Sequence, residues 1–302
     1  MISPALLVGF AAASVRVGTP LGLAAVGEAI AEKSGVINLG IEGAMLGGAF
    51  AAAAGAAWGG TATGVLAAAA AGLLVAAAFA AIAVAARADQ IIAGTAITLG
   101  ATGLTGLLAQ RVFTGPALSL PTLSAAPLPL LARIPVLGAV FFRQSVLTYV
   151  CYLLIPLASW LLWRTRFGLQ LRASGESPAA ATASGVAVGR MRSAAVLLGG
   201  VCAGLAGAAL VLAQVGTFTE RMTAGRGFIA IAIVALGRWT PWGVGAAALL
   251  FGAATALQYT FQAAGSRVPY QLFIALPYLL ALAALGVAIG RHRGPAALGQ
   301  PH

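Results

Sequence analysis

The chain has 302 residues, of which 61% are hydrophobic and 8% are charged, and its formal net charge is +11. Soluble domains carry about 25% charged residues, so the composition excludes a water-soluble fold and leaves no room for a soluble catalytic domain. The arginines lie mostly between apolar segments, where they orient a membrane protein, so the positive charge does not indicate nucleic acid as a partner. We predict an all-α fold, with a single transmembrane domain over residues 1–302 in contact with membrane lipid.

Membrane-spanning helices need about 20 mostly apolar residues. Eight stretches meet this requirement in chain order: residues 4–26, 36–58, 61–86, 91–110, 145–163, 194–214, 243–263 and 270–290. Another apolar stretch, Phe228 to Leu236, is too short to span alone, and glycine, arginine and proline residues bracket it. This punctuation predicts a short broken helix near 225–241, so the expected bundle has eight or nine spans.

Three of the six acidic residues lie close together near the start of the second predicted span. They are Glu28, Glu32 and Glu42. An ionised group at the centre of a bilayer costs about 2.5–3.5 kcal/mol, so such a run calls for a functional or structural reason. Residues 27–34 nearly match a phosphate-binding loop, but Glu32 replaces the second glycine and would repel phosphate. We therefore expect no ATP, other cofactor or metal bound by this chain.

Polar residues inside apolar segments are candidates for lining a path through the membrane. Asn38 and Glu42 lie one helical turn apart on the same face. Asn38 could instead bond a neighbouring helix, and Glu42 could instead pair with an arginine or a backbone donor. Later segments contribute further pathway candidates, since ligand sites combine apolar walls with a few polar groups: Thr95, Thr98, Gln214 and Phe218.

A second group of charged residues is predicted to have a gating or structural role. Glu28 and Glu32 lie four residues apart near the end of the first span, with Lys33 and Arg87 as candidate partners. Asp89 precedes the fourth predicted span, where a negative charge favours a helix N-terminus.

Orientation follows from the basic connections. The segment 164–192 holds five arginines against one acid, and the tail also carries arginine, so both are predicted to be cytoplasmic. Alternation then puts the turn around Lys33 on the cytoplasmic side. It puts the proline-containing loop 111–144 and the N-terminus outside.

Within the cytoplasmic segment, the sequence predicts a short, smooth helix. Ser177 followed by Pro178 is typical of an N-cap and the first helical position. Alanines follow, and Gly185 can end the helix in the left-handed conformation. Such a helix could insert into a groove of another protein or pack on its own bundle.

Enzymatic activity is not expected. The only histidines are His292 and His302, both in the polar tail, so a nucleophile would have no buried histidine as its base. Cys151 and Cys202 lie far apart in apolar stretches and are predicted to be small packing residues.

Four stretches resemble a known family in order and content: residues 27–45, 89–97, 171–189 and 225–241. They resemble the permease subunits of bacterial ABC importers in the ribose and branched-chain amino acid permease superfamily. Within it, the run Glu-Lys-Ser-Gly-Val-Ile-Asn-Leu-Gly-Ile-Glu-Gly is similar to the simple-sugar and nucleoside branch, which works with basic-membrane-protein-type binding lipoproteins. Relatives often carry asparagine at the position of Thr98, a departure that would alter substrate preference if this side chain faces the pathway.

The resemblance implies a multi-pass protein of the bacterial plasma (inner) membrane that forms half of the pathway for a nucleoside or simple sugar. It implies a second, related permease in a heterodimer, an ABC ATPase subunit that hydrolyses ATP, and an extracytoplasmic substrate-binding lipoprotein. It also implies that the loop 164–192 couples to the ATPase, through Arg172, Gly175, Glu176, Pro178, Ala179, Ala180 and Gly185. The alternative is an ion-coupled secondary transporter that uses the acidic run at 28–42.

Overall fold

The computed structural model describes residues 4–113, 120–263, 275–283, 286 and 294–300. The helices in chain order are α1 (Pro4–Lys33), α2 (Ile41–Phe79), α3 (Gln90–Val112), α4 (Leu137–Phe141), α5 (Val146–Arg164), α6 (Arg166–Glu176), α7 (Pro178–Ala183), α8 (Val188–Leu210), α9 (Arg226–Leu236) and α10 (Pro241–Ala263). Short π-helical turns extend α2 through Ala80–Ala85 and α8 through Val211–Val215, and residues 275–283 are also helical. Two-residue strands, β1 (Ala126–Pro127) and β2 (Arg143–Gln144), pair antiparallel.

Within the described part of the chain, six helices are long and apolar enough to cross a membrane. They are Leu6–Lys33, Ile41–Ala85, Gln90–Val112, Val146–Arg164, Val188–Val215 and Pro241–Thr260. The helical membrane bundle is therefore confirmed, whereas the count of eight or nine spans is not. The broken segment contains α9, an apolar helix of 11 residues, as its punctuation predicts. The predicted last span, 270–290, lies largely outside the described residues.

The longest candidate span reverses direction in its middle. Ile41–Ala85 has 45 residues, and a straight helix of that length would measure about 67 Å, against about 30 Å of hydrocarbon. At Gly60 the backbone leaves the helical region, with φ 84° and ψ −177°. A methyl group on Gly64 would lie only 2.7 Å from the carbonyl oxygen of Ala52. The segment therefore folds back at Gly60 as two antiparallel arms, one on either side of this turn.

Helix α8 lies at the centre of the bundle. Its most apolar window is 78% buried, against 22–44% for the other candidate spans. A methyl group on Gly48, in the first arm of α2, would lie 2.6 Å from the Cα of Gly204 in α8. One on Gly72, in the second arm, would lie 2.7 Å from the same atom. Both arms thus approach α8 at backbone distance, because only glycine leaves room there.

The loop before α5 covers one end of this bundle. The backbone N–H groups of Leu120 and Leu123 donate to the carbonyl oxygens of Gly216 and Leu212, at the end of α8. The Gln144 amide donates to the carbonyl of Ala12, near the start of α1. The loop and the first turns of α1 therefore lie at the same end of the molecule, opposite the α1–α2 connection.

Candidate functional site

The two acids of α1 lie inside the bundle, where the chain turns from α1 into α2. Glu28 is completely buried and accepts a hydrogen bond from the Asn38 N–H at 2.8 Å. Glu32 is 2% exposed and accepts one from the indole N–H of Trp239, after α9. The structure thus gives these acids other hydrogen-bond partners than the predicted Lys33 and Arg87. They join the turn and the broken segment to α1.

A set of buried polar atoms without partners surrounds this contact. Four of these atoms have no hydrogen bond in the described residues: one carboxylate oxygen of Glu28, one of Glu32, and the amide oxygen and nitrogen of the Asn38 side chain. Asn38 is only 1% exposed. Such atoms are few in folded proteins and are costly unless water or another conformation satisfies them. The turn therefore contains polar groups that are available to change partners.

Glu42 holds the start of the broken helix. Its two carboxylate oxygens accept hydrogen bonds from the backbone N–H groups of Gly225, at 2.8 Å, and Gly227, at 2.6 Å. Gly225 is the N-cap of α9 and provides no side-chain cap of its own. The carboxylate thus satisfies two donors and places negative charge at the positive end of the helix dipole. The sequence left Glu42 as a pathway residue or as a partner of an arginine or of a backbone donor, and the structure pairs it with backbone donors.

Gln214 borders a cavity of about 480 Å³ between α1, the end of α8, the start of α9 and α10. Its amide donates to the carbonyl oxygen of Arg16 at 2.8 Å. We call this the outer cavity because it lies beside the end of α8 that the loop before α5 covers. The polar and aromatic residues on its wall are Arg16, Gln214, Thr219, Arg226 and Tyr259. Sequence reasoning missed Arg16, although an arginine inside an apolar segment is itself a sign of function.

A second space of about 220 Å³ continues the outer cavity past Arg226 and Tyr259, which line both. It adds Gln258 and Tyr278, whose hydroxyl donates to the carbonyl of Ala224. Two guanidinium groups, two amides and two phenol rings therefore meet here, and no carboxylate lines either space among the described residues. This chemistry suits a planar, oxygen-rich molecule and disfavours a cation.

The remaining pathway candidates lie elsewhere. Phe218 packs in an aromatic cluster, with ring centroids 5.6 Å from Phe50 and 6.0 Å from Phe113. The Thr98 hydroxyl donates to the carbonyl of Leu39, so it joins α3 to the turn. Thr95 is exposed on α3, and its hydroxyl donates to backbone carbonyls of its own helix. These three residues are not in the wall of the outer cavity.

The short helix of the loop forms as its residues predict. Helix α7 has Ser177 at its N-cap and Pro178 in its first turn, although the serine side chain makes no capping bond. Gly185 has φ +81°, and the following N–H, of Val186, donates to the carbonyl of Ala181 at 3.0 Å. This left-handed ending satisfies carbonyl groups that the helix leaves open. Ala179 and Ala180 are exposed, so one face of α7 is free of bulky side chains.

The base of this loop contacts both the acidic turn and the C-terminal segment. Gly175 lies so close to the Lys33 carbonyl that a methyl group there would collide with it. The N–H of Ala297 donates to the Gly175 carbonyl at 2.9 Å, and that of Gly299 donates to the Gly35 carbonyl at 3.0 Å. We call residues 33–35, 174–176, 294–300 and Arg192 the junction.

Side chains reinforce the junction. The buried Arg192 donates through Nε to the Ser34 carbonyl and through Nη1 to the Gln300 carbonyl. Arg172 stacks on Trp163, with its guanidinium carbon 4.2 Å from the ring centroid. A Glu176 oxygen lies 3.4 Å from the N–H of Ala296. The loop, the turn and the tail therefore lie on the same side of the bundle.

Comparison with known proteins identifies the family. Residues 10–288 match the family model described as branched-chain amino acid transport system / permease component. The chain is 34% identical to the nucleoside ABC transporter permease protein NupC of Lactococcus lactis, over 93% of this chain and 92% of that protein. It is 36% identical to the guanosine ABC transporter permease protein NupQ of Bacillus subtilis, over 96% of this chain and 95% of that protein. The chain is also 35% identical to TsgC13 of Haloferax volcanii, provisionally named a glucose ABC transporter permease protein, over 94% of this chain and 92% of that protein. No solved structure is significantly similar to the chain.

Proposed function

Because the chain belongs to the permease component family of branched-chain amino acid transport systems, and is a multi-pass permease subunit of an ABC transporter, we propose that it imports a nucleoside or simple sugar. It forms half of the pathway, with a second, related permease as the other half of a heterodimer. It performs no chemistry itself, and ATP acts through a partner ATPase.

The observation that carries the substrate class is the outer cavity. Arg16 offers guanidinium donors, Arg226 adds those other than Nη1, which donates to the carbonyls of Met222 and Thr223, and Tyr259 offers an aromatic face beside them. Arginine pairs well with the neighbouring acceptors of a guanine edge, and phenol rings stack on planar bases. Sugar hydroxyls also accept from such donors. Two relatives named for a nucleoside and for guanosine support the same class.

The ATPase is proposed to act through α7. Its exposed small residues, Ala179 and Ala180, leave a smooth surface for a partner groove. The other proposed coupling residues place the helix: Arg172 stacks on Trp163, while Gly175 and Glu176 contact the junction. Movement of α7 therefore reaches the turn that carries Glu28 and Glu32. We propose that the loop and the C-terminus lie in the cytoplasm and that the outer cavity faces the binding lipoprotein.

An ion-coupled mechanism lacks a comparable observation. Glu42 uses both carboxylate oxygens on backbone donors, and Glu28 uses one. These contacts hold helices together and leave no continuous relay of acids through the described residues. ATP-driven import is the function that agrees with the family.

The test is uptake of labelled guanosine and glucose into proteoliposomes that contain the permease pair, the ATPase and the binding protein. We expect ATP-dependent uptake of one of them. Arg16→Gln should lower uptake at limiting substrate by about tenfold or more, as for loss of a charged hydrogen bond. The matched control is Arg111→Gln, because Arg111 is exposed at the end of α3 and is not in the wall of the outer cavity. Uptake without ATP, or uptake that collapses with the proton gradient, contradicts the proposal.

A further inference from the structure

A second large cavity lies on the junction side of the bundle. It measures about 770 Å³ and is bounded by the end of α2, the start of α3, helix α7 and the start of α8. Three candidate spans end or begin there, at Ala85, Gln90 and Val188. The cavity therefore lies at the level where the hydrocarbon of the membrane gives way to headgroups. We call it the basic cavity.

Its wall is positively charged. Arg87, Arg190 and Arg192 line it, and no carboxylate does so among the described residues. Arg87 and Arg190 are exposed. Arg192 borders the cavity too, but its guanidinium is buried in the junction, where it donates to the carbonyls of Ser34 and Gln300. The nearest acid in sequence, Asp89, already accepts two N–H bonds at the start of α3. The two exposed guanidinium groups of Arg87 and Arg190 therefore make the wall positive, with no carboxylate in the lining among the described residues.

Backbone donors add to this charge. The first residues of α8, Val188 to Arg190, also line the basic cavity, and the N-cap Ala187 has no side chain that could cap the helix. Nothing lies within 4 Å of a methyl group placed on Gly189, so a ligand can approach the backbone here. The Val188 N–H donates to the Val186 carbonyl, and the N–H groups of Gly189 and Arg190, together with the nearby arginines, form a suitable site for an oxyanion.

Exposed apolar residues are next in sequence to residues that line the same cavity. Ile82 precedes its lining residue Ala83, and Ile91 and Ile92 follow its lining residue Gln90. All three isoleucines are exposed, at 43%, 57% and 70%. In a membrane these side chains meet acyl chains, so a molecule with a charged head and an apolar tail would match both surfaces.

We propose that the basic cavity binds the phosphate headgroup of an anionic phospholipid. Free phosphate shares the headgroup chemistry, and competition by inorganic phosphate distinguishes it from a lipid. An acidic segment of another protein is the rival occupant, because Ala179 and Thr182 of α7 also line the cavity, and loss of ATPase binding in the test variant is the outcome that would indicate it. Basic pockets between spans at a cytoplasmic surface commonly bind anionic headgroups.

The experiment titrates the purified full chain, in neutral detergent micelles, with fluorescent phosphatidylglycerol and then with fluorescent phosphatidylcholine. The test variant combines Arg87→Gln with Arg190→Gln. The matched control combines Arg164→Gln with Arg166→Gln, because these exposed arginines are on the same side and do not line the cavity. We expect the test variant to bind phosphatidylglycerol roughly 25-fold more weakly, from about fivefold per arginine. The control variant should bind like the unmodified chain.

Four results would overturn the proposal. They are equal affinity for the two lipids, equal weakening in both double variants, full displacement of phosphatidylglycerol by millimolar inorganic phosphate, and loss of ATPase co-purification in the test variant with lipid binding intact. The lipid titration uses the permease alone, and the co-purification adds the ATPase but no substrate. Failure of the transport proposal would therefore leave this result unaffected, and the reverse also holds.

Discussion

Glu28, Glu32 and Glu42 each accept hydrogen bonds from a different segment of the chain. Their donors are the Asn38 backbone, the Trp239 indole and the first turn of α9. Charged groups are costly in a membrane, and hydrogen bonds to them offset part of that cost. The acidic run therefore fastens the turn and the broken segment to α1 and α2.

The sharpest test of this role is Glu42→Ala. The change removes the acceptor from two N–H groups, and a buried unsatisfied donor costs about 1–3 kcal/mol. We expect the free energy of unfolding, measured by denaturant titration in detergent, to fall by about 2–4 kcal/mol. Glu42→Gln keeps one acceptor oxygen, so its free energy of unfolding should lie between those of the unmodified chain and Glu42→Ala. Glu220→Ala, at an exposed acid, is the control; equal losses at positions 42 and 220 would show that Glu42 does not hold α9.

At the scale of helices, glycine determines how closely α2 and α8 approach. Gly204 faces Gly48 on one arm of α2 and Gly72 on the other. Helix association in lipid relies on van der Waals contact rather than on water exclusion, so small residues at such crossings matter greatly. The reversal at Gly60 is what brings both arms onto the same helix.

Gly204→Leu should therefore disrupt the bundle. A side chain there meets backbone atoms that cannot rotate away, so the loss should reach or exceed the roughly 1–3 kcal/mol typical of overpacking. Gly100→Leu is the matched control, because Gly100 is a helical glycine with nothing within 4 Å of an added methyl group. Thermal unfolding and size-exclusion profiles of both variants check the prediction. Similar profiles would contradict the packing argument.

Helix α7 makes a prediction of its own. Ala180→Trp adds a bulky side chain to the exposed face, so the permease should insert and fold while co-purification of the ATPase falls by about tenfold. Ala62→Trp, at an exposed alanine just after the Gly60 turn, controls for the added surface. Glu176→Arg should weaken binding of the ATPase as well, because it inverts the charge beside α7. Normal co-purification with both loop variants would exclude α7 as the docking helix.

Across the whole molecule, the junction joins parts of the chain that are far apart in sequence. Backbone hydrogen bonds join the tail to the turn after α1 and to the end of α6, and the Arg192 side chain donates to carbonyls of the turn and of the tail. Gly294 also lies against the Trp239 ring, and that indole bonds Glu32. A displacement of the loop therefore cannot leave the acidic turn and the broken segment unaffected.

Truncation tests this connection. Removing residues 294–302 should leave binding of the ATPase intact but lower the substrate transported per ATP hydrolysed by about fivefold, the lower end of typical coupling between linked sites. Removing only residues 301–302 is the control, because the described contacts of the tail all lie within 294–300. An unchanged ratio would show that the tail is not part of the coupling.

Local features of this protein followed from neighbouring residues. Runs of about 20 apolar residues indicated where most spans lie, and Ser177-Pro178 with Gly185 indicated where α7 begins and ends. Asp89 caps α3 as its position predicted. Each of these depends on contacts within a few residues, which the order of the chain already contains.

By itself, then, the sequence determined a membrane bundle, its family, a smooth helix in the basic loop and a broken helix near 225–241. Only the tertiary structure decided which groups satisfy the buried acids, that Arg16 and Arg226 line one cavity, and that the tail joins the loop to the turn. Apart from the bond between Glu28 and Asn38, these contacts connect residues 100 or more positions apart. Their partners depend on how the helices pack, and no local pattern of residues specifies that arrangement.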